Sequence, residues 1–332
     1  MKVLFFDLRE SEKAFFEKNS YSDFEIIFRE DSLSENTKLS EEELCDTCAI
    51  SIYRSSILTQ NILKKFKNLR IIATRSYGFS HIDLEYCMKN KIAVVNIEQY
   101  GETAVAEYAI GLIIGLTRKI KPAVFDILEH KVNPKKYEGE LLDKRTIGII
   151  GCGKVGKKLA QIANFFGMKA YVSSYKDLPN LDAICNVVSF DTLLKESDVI
   201  VLHMPFTTET YQIIGREEFA KMKQGVYIIN TSSVELIDLE ALLENIESGK
   251  VKGAGLDILE SDYTARKVKY VGNETMSTKE NKKITEHLLE KQNVIITPHI
   301  AYNTSDTINY VLETTFNNIR DFIKGMNSNR VC

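Results

Sequence analysis

Thr146-Ile147-Gly148-Ile149-Ile150-Gly151-Cys152-Gly153-Lys154-Val155-Gly156-Lys157-Lys158-Leu159-Ala160 is the stretch that decides the fold. It reads as an apolar strand over Thr146–Ile150, a Gly-x-Gly-x-x-Gly turn and a helix over Lys154–Phe165, with a second strand at Lys169–Ser173. The glycine pattern alone is a weak signal; the strand before it and the helix after it give it meaning. In that context Gly151 permits the tight turn, Gly153 lets the backbone approach a pyrophosphate, and Gly156 lets the helix lie close to the strand. Free N–H groups at the start of the helix, those of Lys154 and Val155 among them, face the anion. The plain alternative is a glycine-rich turn that holds no ligand.

Outward from this unit, short apolar runs alternate with amphipathic stretches along the whole chain, which predicts an α/β protein with parallel sheets. Strands are expected at 3–6, 24–28, 48–53, 70–74, 93–96, 146–150, 169–173, 199–203, 226–230, 253–258 and 294–297. The segment from Tyr100 to Asp143 is almost wholly helical in pattern, and the crossing between two domains is expected there. A last helix, Ser305 to Ile323, follows Pro298–Ala301 and is expected to return to the first domain. The predicted division is therefore 1–102 plus 301–332, a discontinuous substrate domain, around a dinucleotide-binding domain at 103–300. Asp262 to Lys282 is polar and reads as a surface excursion.

A chain of 332 residues favours two domains over one core. Its formal net charge of −3 lacks the basic excess that nucleic-acid binding needs, so no nucleic-acid partner is expected. Six cysteines are scattered without a disulfide-like pattern, which suits reduced thiols in the cytoplasm. Cys45 and Cys48 form a CxxC, but no second ligand pair accompanies it, so no metal site is expected. The N-terminus reads as a first buried strand rather than a signal peptide. The most apolar helix, Ala104 to Leu116, falls short of the roughly 20 residues that span a bilayer, so no membrane partner is expected. Its Gly111-x-x-x-Gly115 predicts close packing between helices.

Dinucleotide folds usually place a carboxylate about 20 residues beyond the glycines, where it accepts hydrogen bonds from the ribose. Here Ser174 stands at that place, with Lys176 behind it. A hydroxyl beside a cation removes the repulsion that a 2′-phosphate would meet, so NADP, or mixed use of NAD and NADP, is favoured over NAD alone. In the alternative, Ser174 is only a strand-end residue and NADH binds through weaker ribose contacts.

Several segments together resemble the D-isomer-specific 2-hydroxyacid dehydrogenase family, which includes D-lactate and phosphoglycerate dehydrogenases. They are Ala73-Thr-Arg-Ser-Tyr77-Gly78-Phe-Ser-His-Ile-Asp83, Ala104-Val-Ala-Glu-Tyr108, the glycine turn, Ser197-Asp-Val-Ile-Val-Leu-His203-Met-Pro205, Ile228-Ile-Asn230-Thr231, Gly253-Ala-Gly-Leu-Asp257 and Thr297-Pro-His299-Ile-Ala301. The resemblance covers nearly the whole chain. It implies two doubly wound, Rossmann-like parallel-sheet domains with an active-site cleft between them. It also implies reduction of a 2-oxo acid to a D-2-hydroxy acid with a nicotinamide cofactor, in a homodimer.

By the same resemblance His299 is the acid/base that protonates the ketone oxygen, a role suited to an imidazole because both its protonation states lie within reach near neutrality. Tyr77 and Gly78 match the loop whose N–H groups hold the substrate carboxylate. Tyr100 matches a residue that closes over the substrate, and Arg54 lies near the expected cleft. Asp257 matches a carboxylate beside the nicotinamide. His203, Pro205, Thr210, Thr231 and Ser232 match loops lining the cofactor. Packing or solvated-surface roles are the plain alternative for each of these side chains.

Two departures stand out. The family's carboxylate-clamping arginine is replaced by Ser233, which offers no bidentate fork. The acid expected to pair with His299 is Asp262, one methylene shorter than the family's glutamate. The alternative reading is therefore a regulatory or sensor protein that binds NAD(P)H with little turnover.

Overall fold

The computed structural model describes residues 1–19, 21–98, 100–174, 184–257 and 278–332, with backbone only over 278–282. Lys176 and Asp262 lie outside the described residues, as does the polar stretch up to 277. The chain divides into two compact units, one of Met1–Tyr100 with Asn303–Cys332, the other Gly101–Tyr302.

In the first unit β1 (Lys2–Phe5), β2 (Glu25–Phe28), β3 (Ala49–Ile52), β4 (Ile71–Thr74) and β5 (Ala93–Val95) form one parallel sheet in the order β2-β1-β3-β4-β5. Helices α1 (Glu10–Lys18), α2 (Glu41–Asp46), α3 (Gln60–Leu63) and α4 (Leu84–Lys89) connect them. Every residue of β1, β3, β4 and β5 is buried, as in strands covered on both faces, whereas edge strand β2 is partly exposed. Helix α12 (Ser305–Ile323) returns to cover this sheet. Its Phe316 stacks parallel to Phe5 with ring centroids 6.1 Å apart and packs on Tyr21 at 4.3 Å. Complete burial of such a side chain contributes about 1.5–3 kcal/mol.

The second unit opens with α5 (Glu102–Thr117) and α6 (Ile120–Leu128) and continues with β6 (Thr146–Ile150), α7 (Lys154–Phe165), β7 (Lys169–Ser173) and β8 (Asn186–Val187). Then come α8 (Phe190–Glu196), β9 (Val199–Leu202), α9 (Arg216–Lys221), β10 (Val226–Asn230), α10 (Leu239–Glu247), β11 (Val251–Leu256), α11 (Thr278–Glu290) and β12 (Val294–Ile296). The sheet is parallel, in the order β12-β11-β10-β9-β6-β7-β8. The expected strands are all present; β8 was not foreseen, because two exposed edge residues carry no periodicity.

Two expectations are corrected. The stretch from Tyr100 to Asp143 is helical only through α6, after which Pro134 opens a single 3-10 turn, Pro134–Tyr137. The glycine notch of α5 does not join two helices: a Cβ at Gly111 would meet nothing within 4 Å, and one at Gly115 would touch Ile295 of β12 at 3.1 Å. Close packing of α5 on another helix, α7, occurs instead in the cluster that holds Ala106, Ala109, Leu159, Ala160 and Ala163, and β11 also comes close, where a Cβ at Gly255 would sit 3.1 Å from Leu112. The apolar faces of α5 are thus buried inside its own unit, with Ala106, Ala109 and Ile113 fully covered.

Candidate active site

The glycine turn follows β6, whose neighbours are β7 on one side and β9 on the other. This is the point where strand order reverses and open α/β sheets hold their ligands. Gly151 has φ of 89°, and a Cβ there would lie 2.6 Å from the His203 carbonyl oxygen. A Cβ on Gly156 would lie 2.6 Å from the Gly151 carbonyl oxygen, so α7 can lie this close only without a side chain. Gly153 differs, since a Cβ there would meet nothing within 4 Å. Among the described residues the N–H groups of Cys152 and Gly153 donate to no protein acceptor, and those of Lys154 and Val155 lie in the unbonded first turn of α7. The result is a cradle of unengaged donors with open space in front of it, which fits a pyrophosphate. The thiol of Cys152 is buried within the turn and pushed up to about 11.

His203 ends β9. Its Nε2 is shut off from solvent with no hydrogen-bond partner, and its Nδ1 lies 3.5 Å from Thr231 Oγ1. Burial pulls its pKa down to about 4, so the ring is neutral at physiological pH. An orphaned buried nitrogen beside this turn is consistent with a bound ligand. Thr210 and Ser232 use their hydroxyls on the loops themselves: Thr210 Oγ1 donates to the Pro205 carbonyl at 3.0 Å, and Ser232 Oγ to the Leu202 carbonyl at 2.9 Å. Ser174 follows β7 and is half-buried.

At the end of the same sheet, β12 leads into Thr297-Pro298-His299-Ile300-Ala301. Asp257, fully buried just past β11, holds this loop with both oxygens. Oδ1 accepts from Thr297 Oγ1 at 2.6 Å and the Ile300 N–H at 2.9 Å, and Oδ2 from the Ala301 N–H at 2.6 Å. Asp257 therefore fixes the loop that carries His299. His299 stands exposed at the bend with φ of 55°, a left-handed conformation that a non-glycine residue keeps only when its surroundings enforce it. Tyr108 of α5 bonds to Thr297, and burial together with the nearby Asp257 charge pushes its phenol up. Neither Thr297 nor Tyr108 was singled out in the sequence, because their roles come from packing around Asp257.

Ser233 follows β10. Its hydroxyl donates to Glu235 Oε2 at 2.7 Å, and its carbonyl accepts from Asn230 Nδ2 at 2.7 Å. The position of the expected guanidinium thus carries a hydroxyl already committed to a carboxylate.

In the first unit the expected substrate loop follows β4. Ser76 Oγ donates to the Gly78 carbonyl at 2.6 Å, and Asn96 Nδ2 to the Tyr77 carbonyl at 2.8 Å. Among the described residues the N–H groups of Tyr77 and Gly78 donate to no protein acceptor. The guanidinium of Arg54 lies against Gly78, where a Cβ would fall 2.6 Å from Nη2, and it pairs with no carboxylate among the described residues. Tyr100, half-buried, ends this part of the unit. Beneath lies Arg75, fully buried, which donates to Ser51 Oγ at 2.7 Å and the Phe6 carbonyl at 2.6 Å and stacks on Tyr53 at 4.3 Å. No group of metal-ligating side chains occurs among the described residues. No described helix is long and apolar enough to cross a membrane.

The family model described as D-isomer specific 2-hydroxyacid dehydrogenase, NAD binding domain, matches residues 110–301. An aromatic 2-oxoacid reductase of Clostridium sporogenes is 35% identical over 289 residues, covering 85% of this chain and 86% of its own. A hydroxypyruvate reductase of Thermotoga maritima is 38% identical over 250 residues, covering 75% and 76%. The crystal structure of a D-lactate dehydrogenase from Aquifex aeolicus, complexed with NAD and lactic acid, matches with a TM-score of 0.80 and 34% identity, covering 99% of this chain and 98% of that one.

Proposed function

The chain belongs to the D-isomer-specific 2-hydroxyacid dehydrogenase family, and from that membership we propose that it reduces a 2-oxo acid to the D-2-hydroxy acid with NAD(P)H. The cofactor, when bound, supplies the hydride. Gly151, Gly153, Gly156 and the first turn of α7 hold its pyrophosphate, with His203 and Thr231 alongside. Ser174 brings no negative charge to repel a 2′-phosphate and Lys176, two residues on in the sequence, is a cation, so NADPH serves at least as well as NADH.

The substrate carboxylate takes the unengaged N–H groups of Tyr77 and Gly78, and Arg54 supplies the positive charge that Ser233 does not. Tyr100 closes over the bound substrate. His299 gives its proton to the ketone oxygen as the hydride arrives, and Asp262 is the acid that pairs with it. The observation that carries this reading is the commitment of Asp257 to Thr297, Ile300 and Ala301, which fixes an exposed imidazole in a strained bend. We place the protein in the cytoplasm as a homodimer; its six cysteines are free thiols, and α6 offers an exposed apolar face for self-association.

The test is oxidation of NADH and NADPH by purified protein with a panel of small and aromatic 2-oxo acids. Turnover is expected with at least one, and His299→Gln should lower kcat by about 10²–10⁴-fold with cofactor affinity kept. Tight cofactor binding without turnover across the panel would hand the site to the sensor reading, which Ser233 favours.

A further inference from the structure

The second unit contains a cavity of about 210 Å³ at the end of its sheet opposite the glycine turn. Its floor is formed by residues at the amino-terminal ends of strands, Tyr227 of β10, Lys252 of β11 and Asn293 before β12. Four lysines line it, Lys119, Lys121, Lys136 and Lys252, against a single lining carboxylate, Asp126.

Two of these charges are answered: Lys136 lies 3.5 Å from Asp126, and Lys252 pairs with Glu140. The other two have no carboxylate partner among the described residues. Lys119 Nζ donates once, to the Lys136 carbonyl at 3.0 Å, which leaves two protons for a ligand. Lys121 Nζ is half-buried and donates to the carbonyls of Val294 at 2.6 Å, Lys291 at 3.0 Å and Leu289 at 3.4 Å, so it acts only through its field. Gln292 lines the cavity as well. A chain of net charge −3 thus gathers in one concave place two ammonium groups that no carboxylate among the described residues neutralises, of which Lys119 keeps protons for a ligand, and this concentrates anions there. Ammonium groups are compact point charges that suit the oxygens of a multiply charged phosphate group.

We propose that this cavity is a binding site for a small phosphate-bearing anion, separate from the dinucleotide turn. Calorimetric titration of the full chain with pyrophosphate, at fixed ionic strength and with NADH saturating, tests it. One saturable site is expected, and it should persist in Gly153→Val, whose cofactor cradle is blocked. Lys119→Gln should weaken it about tenfold, and Lys119→Gln with Lys136→Gln should abolish it, with thermal unfolding unchanged. Equal binding of citrate would overturn the phosphate class. Absence of saturable binding, unchanged affinity in the lysine variants, or loss in Gly153→Val would overturn the site.

Discussion

At position 233 a hydroxyl stands where the resemblance calls for a guanidinium, and it is bonded to Glu235 at 2.7 Å. An arginine placed there would meet that carboxylate first and form an ion pair with it. Ser233→Arg alone is therefore expected to raise kcat/KM for pyruvate only slightly, whereas Ser233→Arg with Glu235→Gln frees the fork. The double variant should gain roughly 10–100-fold, the worth of about 1.5–3 kcal/mol for hydrogen bonds to a charged group. Steady-state kinetics of the single and double variants decides it; no gain in the double variant would mean that position 233 does not reach the substrate carboxylate. Counting from Asn230 was enough to find Ser233 in the sequence. Glu235 was not legible there, since its part depends on which way a side chain turns after β10. The same holds for Asp257, which reads as a carboxylate near the chemistry but whose two oxygens are assigned only by the path of the His299 loop.

Among the elements, the β6–α7 turn was legible because glycine leaves no freedom of interpretation where a Cβ would strike backbone. Gly151 and Gly156 each face a carbonyl oxygen at 2.6 Å, so substitution at either tests folding as much as binding. Gly153 separates the two, because its Cβ position is open. Gly153→Val is expected to fold with unchanged thermal stability and to lose NADH binding, its branched side chain filling the space that the pyrophosphate needs. Fluorescence titration with NADH, beside circular dichroism, reads both; unchanged affinity in the folded variant would remove the cofactor from this turn. Helix α5 is legible only in part, for the opposite reason. Small residues permit close approach without naming the partner: α5 packs on α7, and β11 also approaches it, where Gly255 admits Leu112.

For the molecule as a whole, two parallel sheets were legible because strands buried on both faces are continuous apolar runs, and these stand out against polar helix faces. Self-association is implied by the resemblance alone, which names no surface for it, and the apolar faces of α5 are buried within its own unit. What remains exposed is the outer face of α6 and the segment after it, Ile120, Val124, Ile127, Leu128, Val132 and Leu141, with Leu128 69% exposed. Apolar side chains gathered in this way on a surface mark an interaction site, and one shared by identical chains about a two-fold axis is self-complementary. A stable pair covers roughly 800 Å² on each partner, so a charge placed at the centre of the patch must be desolvated or the pair must part. Val124→Glu with Leu128→Lys is therefore expected to convert a dimer into a monomer at micromolar concentration, with the fold of each unit kept. Sedimentation velocity of wild type and variant makes the comparison. A wild type that sediments as a monomer, or a variant that stays dimeric, would move the interface away from α6.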